Sequence, residues 1–461
     1  MKLLLFPFLL IGIFGQTLFT QVDSRLAAEL QTEITLLQSE FDVVGLSVAI
    51  ALPDDSIWTG AVGNNAATTP MTSDLLMGIG SATKIYTACT LLLMSEEGLL
   101  SLEDSIYKYL PAIPNVDSTI TIRQLMQHTS GVYNFTDHPT YPSTLIAHSS
   151  ETWRPDDVFA AFVEAPYFSP GTAWTYSNTN YLLLGLILEK IKGKSIVELF
   201  HYYIFDPLDL HDTYFPIEES IPSNLAHPWS SFFGTSLDLF ELGISIDFAC
   251  STAWTGGAII STAKDLVRFS QAVYEGNLLS EASKAAMNDY LVVPDTFIGY
   301  DYGLGSMRHT LADGTVLVGH SGNKTYRSFV NYSEADEVSL AFLCNDNTFE
   351  RPQMTEAALR LLNIIRRFQL MRVSESDNPL EWTLSPNPAN EQVALRFTLP
   401  QSATVSINIY DIQGRLIRNL QPATLLLAGQ HHLQWNPPVP GTYFYQLMVD
   451  GKIISAQLVA Q

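Results

Sequence analysis

The stretch Leu76–Ile106, LMGIGSATKIYTACTLLLMSEEGLLSLEDSI, decides how the rest of the chain is read. It places Ser81 three residues before Lys84, at the head of a segment that stays apolar for several turns. On a helix, positions i and i+3 share a face, so the spacing predicts a hydroxyl and an amine side by side. A helix N-terminus also gathers unpaired N–H groups and a positive partial charge, which favour an anionic nucleophile or oxyanion. The plainer reading makes Ser81 an N-cap and sends Lys84 outward, its stem over the core and its charge in water.

The S-x-x-K spacing does not settle this, because it recurs at Ser105–Lys108, Ser261–Lys264 and Ser321–Lys324. Ser105 and Lys108 lie in a polar segment before Pro111. Ser261 opens STAKDLVRF, where Thr262 and Asp265 form a capping-box-like pair. Ser321 and Lys324 fall in a strand-to-turn region, where i and i+3 do not share a face. Only Ser81 and Lys84 head a long apolar helix.

The chain has 461 residues, too many for one ordinary domain, and 47% of them are hydrophobic, enough for sizeable cores. Its net charge of −23 and the lack of a dense Lys/Arg stripe exclude nucleic-acid binding. MKLLLFPFLLIGIFGQTLFT reads as a signal peptide over residues 1–20, since its apolar run is shorter than the roughly 20 residues that span a bilayer. No later run is long enough to span, so the mature protein is expected to be exported without a membrane span. Of three cysteines, Cys89 reads as a buried thiol, while Cys250 and Cys344 are left open to pairing.

SRLAAELQTEITLLQSEF spaces Leu26, Leu30, Ile34 and Leu37 at helical intervals, with Ser24 as N-cap. Two strand-like runs follow, VVGLSVAIALP and SIWTGAVG, joined as a hairpin at Pro53–Asp55. Helical patterns fill the middle. Strand-like runs then return in YGLGSMRH, TVLVGHSG, SFVNYS and VSLAFLCND, before a last helix, TEAALRLLNIIRRFQL. The expectation is an α+β domain over residues 22–372, an antiparallel sheet flanked by helices with a helical subdomain. After a linker at 373–383, residues 384–461 alternate apolar and polar residues between turns and predict a small all-β sandwich.

Acyl transfer on a serine needs a base, a proton donor for the leaving group and amides facing the oxyanion. Two stretches supply candidates. GTAWTYSNTNYLLLGLILEK holds the Y-x-N at Tyr176–Asn178, on a loop before a helix, and VLVGHSGNK holds the H-x-G at His320–Gly322, at a strand end. The order S-x-x-K, Y-x-N, H-x-G resembles the penicillin-recognising serine hydrolases, a superfamily of class C β-lactamases, D-alanyl-D-alanine carboxypeptidases, D-aminopeptidases and esterases. TIRQLMQHTSGV and TGGAIISTAKDLVRF are similar to further stretches of that family, over roughly Leu26 to Leu370.

The resemblance implies that Ser81 is acylated and that Lys84 and Tyr176 share the proton transfer. Asn178 would bind the substrate amide and orient Lys84, and His320 would take the strand position near Tyr176. Ser321, Gly322 and Asn323 would line the substrate, with Gly322 allowing close approach to the strand edge. The oxyanion hole would be the N–H groups of Ser81 and Asn323. The chain departs from the family after H-x-G, where NKTYRS brings bulky Asn323, Lys324 and Tyr326 that are expected to narrow the cleft. His320 in place of lysine leans toward the peptidase and esterase branches. Arg327 is either a carboxylate ligand or an exposed surface cation. His128 reads as a packing residue, and GHSGN fails the G-x-S-x-G elbow at Asn323. His431 and His432 point to opposite faces of a strand. No His/Cys spacing suggests a metal, and no cofactor is expected.

LSPNPANEQVALRFTLPQSATVSINIYDIQGRLIRNL, followed by GTYFYQL, resembles the C-terminal sorting domain of type IX secretion in Bacteroidota. That implies the type IX machinery as a partner and a secreted or cell-surface location. The favoured function is a secreted serine hydrolase acting on D-amino-acid peptides, esters or β-lactams, a small-molecule or peptide substrate. The alternative is an inactive relative that binds peptide or peptidoglycan.

Overall fold

In a computed structural model, residues 22–460 are described apart from 149–150, 233–234, 244–246, 294–299, 324, 374–381, 390–391, 413 and 451. The expected signal peptide and most of the expected linker lie outside the described residues.

Leu26, Leu30, Ile34 and Leu37 are all buried along α1 (Ser24–Glu40). Its N-cap is Asp23 rather than Ser24, because the Asp23 carboxylate accepts the Arg25 N–H. The expected hairpin joins β1 (Gly45–Ala51) to β2 (Ile57–Ala66), with β3 (Thr69–Pro70) beyond it. Helices α2 (Thr83–Glu96), α3 (Asn178–Lys192) and α4 (Ala263–Tyr274) come from the middle of the chain. The sheet is completed by β4 (Asp301–Tyr302), β5 (Met307–Thr310), β6 (Val316–Asn323), β7 (Arg327–Ser333) and β8 (Val338–Cys344), and α5 (Arg351–Val373) follows. The strand order is β3-β2-β1-β8-β7-β6-β5-β4, so the two ends of the domain meet where β1 pairs with β8.

Every residue of β1, β7 and β8 is buried, as happens when helices cover both faces of a sheet. Val48, Ile50, Leu340 and Phe342 pack against Leu30, Ile34, Leu361 and Ile365 on one face. Ala49, Ala51, Val330 and Leu343 face the helical layer on the other. There α2 is buried without a break from Thr83 to Leu92, which is why its sequence shows no polar stripe. Cys250 belongs to this second core and Cys344 to the first. The sheet stands between the two thiols, and no disulfide joins them.

The tail forms two sheets. One is β9 (Trp382–Ser385), β10 (Val393–Leu399) and β13 (Gly429–Trp435). The other is β11 (Ala403–Asp411), β12 (Leu416–Leu426), β14 (Gly441–Val449) and β15 (Lys452–Ala460). Strict alternation of burial along β11 puts Val405, Ile407 and Ile409 into a core with Trp435 and Tyr445. The tail rests on the turn end of the main sheet. A crevice of about 890 Å³ separates Asp313, Asp336 and Arg366 from Tyr410 and Gln446. A Cβ on Gly414 would stand 2.6 Å from the Asn363 carbonyl. Among the described residues no helix is long and apolar enough to cross a membrane.

Candidate active site

Gly80 adopts a φ of +52°, and a single turn, Gly80–Ala82, leads from it into α2. Neither turn nor helix is capped by a side chain, so the reading of Ser81 as an N-cap fails. The Ser81 hydroxyl meets Lys84 Nζ at 3.1 Å. Lys84 is fully buried and turned inward. Its ammonium donates to Asn178 Oδ1 at 2.8 Å and to the Gly256 carbonyl at 2.6 Å. It also lies 4.9 Å from the Tyr176 ring centroid and 5.2 Å from that of Tyr181, within reach of their negative faces.

Asn178 is the first residue of α3. Its side-chain N–H groups donate to Asn134 Oδ1 at 3.2 Å and Thr136 Oγ1 at 3.4 Å, and its backbone N–H reaches Asn134 as well. Both amide donors are therefore engaged within the protein. The expectation that Asn178 also binds the substrate amide narrows to its oxygen, which faces Lys84.

Tyr176 lies on the loop before α3. Burial pushes its phenol well above the ordinary range, helped by Tyr300, while a hydrogen bond with Ser81 draws it back. The resting phenol is thus protonated at neutral pH. His128 packs its ring 4.3 Å from Tyr176 and accepts the Ser177 N–H at Nδ1, at 3.1 Å. Burial, and then the charge of Lys84, hold its imidazole well below the ordinary range, as suits a packing residue.

The strand side departs from expectation at several points. His320 directs both of its ring nitrogens to partners other than Tyr176. Its Nε2 meets the Tyr302 hydroxyl at 3.1 Å and its Nδ1 the Ser321 carbonyl at 2.7 Å. Burial, then Lys84, push this imidazole well below its ordinary pKa. Gly322 does not clear room for substrate. A Cβ there would lie 1.9 Å from the Ile79 carbonyl and 2.5 Å from Ser328 Oγ, so the glycine lets β6 press on the turn that carries Ser81. That carbonyl also accepts from Ser328 Oγ at 2.6 Å. The Asn323 amide nitrogen comes within 3.2 Å of a Cβ built on Gly80, which sets this N–H beside the Ser81 turn. The Ser321 hydroxyl is half-buried and points to Met307 Sδ at 3.9 Å.

Tyr326 is buried, its hydroxyl bonded to the Ala226 carbonyl at 2.6 Å, so it does not narrow the cleft; Lys324 lies outside the described residues. Arg327 is neither exposed nor open to a substrate carboxylate, because it is buried against Glu350 at 2.8 Å. Among the described residues His227, Asp238 and Glu241 bring possible ligand atoms within 4.8 Å of one another. Asp238 is already bonded to His227 and to the N–H groups of Phe240 and Glu241, which accounts for the cluster as a turn.

Three contributors were not named from the sequence: Asn134, Tyr302 and the Gly256 carbonyl. Each sits in a quoted or neighbouring stretch, but hydrogen bonds across 44, 18 and 172 residues leave no local signal.

Several known proteins are similar to this chain. Penicillin-binding protein 4* of Bacillus subtilis (strain 168) is 28% identical over 265 residues, 55% of this chain and 56% of that protein. The chain thus spans about half the length of that relative. A D-stereospecific amidohydrolase from Streptomyces sp. superposes with a TM-score of 0.63 at 28% identity, covering 73% of this chain and 98% of that one. The D-amino acid amidase from Ochrobactrum anthropi SV3 gives 0.66 at 26% identity, over 75% and 100%. Residues 383–461 match the secretion system C-terminal sorting domain. Residues 29–363 match the beta-lactamase family, and the chain belongs to that family of serine hydrolases.

Proposed function

We propose that the protein is a secreted hydrolase that cleaves amide or ester bonds through an acyl-enzyme on Ser81. The observation that carries this is the fixed Lys84 amine, held by Asn178 and Gly256 and directed at the Ser81 hydroxyl from 3.1 Å. With the amine deprotonated, its two N–H bonds stay on those carbonyl oxygens and its lone pair faces Ser81 Oγ. Ser81 then attacks the substrate carbonyl carbon as its proton passes to Lys84 Nζ. The developing oxyanion is received by the N–H groups of Ser81 and Asn323. Tyr176, a protonated phenol in the resting site, gives its proton to the leaving nitrogen or oxygen and regains one from Lys84. Water attacks the ester by the reverse route and frees Ser81.

The relatives that share the fold are a D-stereospecific amidohydrolase, a D-amino acid amidase and penicillin-binding proteins. They support D-amino-acid amides and peptides, with small esters and β-lactams beside them, as the substrate class. The tail supports export through the type IX machinery to the cell surface or beyond. Intact-mass analysis with a fluorophosphonate tests the chemistry. One covalent adduct is expected on the full chain and none on Ser81→Ala. Absence of an adduct with that probe and with penicillin alike would leave a peptide-binding relative as the better reading.

A further inference from the structure

His320 stands where the family resemblance asks for a catalyst, yet both of its ring nitrogens are engaged inside the protein. The Ser321 carbonyl can only accept, so the 2.7 Å contact puts a proton on Nδ1. In the neutral ring Nε2 is then an acceptor, and the Tyr302 hydroxyl at 3.1 Å is its donor. The Tyr302 hydroxyl also neighbours that of Tyr181, whose own proton goes to the Met126 carbonyl, and the Tyr302 ring is held in place. It is fully buried, meets His320 edge-on at 90°, and packs against His128 at 4.7 Å and Trp174 at 6.0 Å. The loop after it is seated on α2 by Gly305, at φ +73°, where a Cβ would come 2.7 Å from the Ala88 Cβ and 3.1 Å from the Lys84 carbonyl.

We infer that Tyr302 is a positioning residue: its hydroxyl fixes His320 as a neutral, Nδ1-protonated ring whose second nitrogen is occupied, so that proton transfer stays among Ser81, Lys84 and Tyr176. The groups that face the ring agree with this assignment. Lys84 on α2 and Arg351 on α5 are cations that oppose a second proton, and His309 on β5 and His128 add no negative charge. His320 then acts as a spacer between β4 and β6 with a fixed dipole. The inference deepens the acyl-enzyme reading and rests on it for its catalytic consequence, though not for the state of the ring.

Nitrogen-15 NMR of the imidazoles in the labelled full chain tests that state, with His320 assigned by its absence from His320→Gln. The wild-type ring should remain the neutral Nδ1–H tautomer between about pH 5.5 and 9, across the range where an unperturbed histidine titrates. In Tyr302→Phe the Nε2 resonance should move downfield as it loses its donor, with Nδ1 still protonated. Titration of the wild-type ring in that range, or an Nε2 signal unmoved by Tyr302→Phe, overturns the inference. The catalytic arm measures the rate of Ser81 labelling by a fluorophosphonate against pH. Tyr302→Phe should lower the rate about 10-fold without moving either limb. Glutamine can reproduce both hydrogen bonds, so His320→Gln should retain more rate than His320→Leu. Equal loss in both, or a lost limb in Tyr302→Phe, makes His320 a proton carrier and refutes the assignment. If wild-type Ser81 takes no label at all, the hydrolase reading falls, and the NMR result alone decides the role of Tyr302.

Discussion

Replacing Gly322 by alanine measures how tightly β6 holds the nucleophile turn. The new methyl would be placed 1.9 Å from the Ile79 carbonyl oxygen and 2.5 Å from Ser328 Oγ. Ordinary contact needs more than 3 Å, so strand and turn must part by about 1 Å, and backbone cannot yield as a side-chain tip does. Overpacking of this kind costs roughly 1–3 kcal/mol, and loss of the Ser328–Ile79 bond adds about 1 kcal/mol. For a domain of about 350 residues, an unfolding entropy near 0.7 kcal/mol/K turns 2–4 kcal/mol into a Tm decrease of about 3–6 °C.

The catalytic effect should be larger than that. Ile79 lies two residues before Ser81 and Gly322 one before Asn323, so the displacement opens the gap between the two proposed oxyanion donors. A loss of about 10²–10³-fold in Ser81 labelling is expected, measured on folded protein well below Tm. Gly319→Ala supplies the comparison. Its Cβ would lie 2.0 Å from the Val330 carbonyl, a similar strain on the same strand but about 13 Å from Asn323. It should lower Tm comparably and labelling by less than about 10-fold. If Gly322→Ala labels within about threefold of wild type at a depressed Tm, the strand does not set the oxyanion geometry.

Three further outcomes are expected. Lys84→Met should reduce labelling by at least about 10²-fold, the scale of a lost positioned base, and an unimpaired variant assigns the base elsewhere. Asn134→Leu removes the acceptor for the Asn178 amide, and labelling should fall about 10-fold as Asn178 loses its hold on Lys84; a rate equal to wild type would show that Thr136 suffices. Arg366→Met leaves Asp313 and Asp336 as half-buried carboxylates without their cation, though Thr315 and Ser333 still donate to them, which costs about 1–3 kcal/mol in urea unfolding at pH 7. Burial raises the Asp313 pKa, but bonds from Thr315 and Arg366 outweigh it and keep the carboxyl below its usual range. Its contribution is therefore present above about pH 4 and lost as pH falls through the depressed value. The gap between wild type and Arg366→Met should shrink toward pH 3, and a constant gap would rule out the carboxylates as its source.

What the sequence could disclose followed the range of each interaction. The unbroken apolar run after Lys84 selected one S-x-x-K among four, because burial of a whole helix is written locally. Alternation did the same for Val405, Ile407 and Ile409. Contacts between distant residues were not written anywhere. Arg327 looks like a surface cation until Glu350 is seen beside it, and Gly322 looks like room for substrate until the Ile79 carbonyl fills that room. Tyr302 belongs to a plain strand-like run and acquires its role only when β5 and β6 fold back over it. Cys250 and Cys344 could be judged only once the sheet was known to stand between them.

The seat of the sorting module carries a consequence for maturation. Strand β6 begins at Val316 beside the module and ends at Asn323 beside the nucleophile, so about 24 Å of strand separates the two. Trimming the module away strips no atom from the neighbourhood of Ser81. Unlike the inhibitory pro-piece of a zymogen, this module should leave the rate of Ser81 labelling unchanged whether it is attached or cut away.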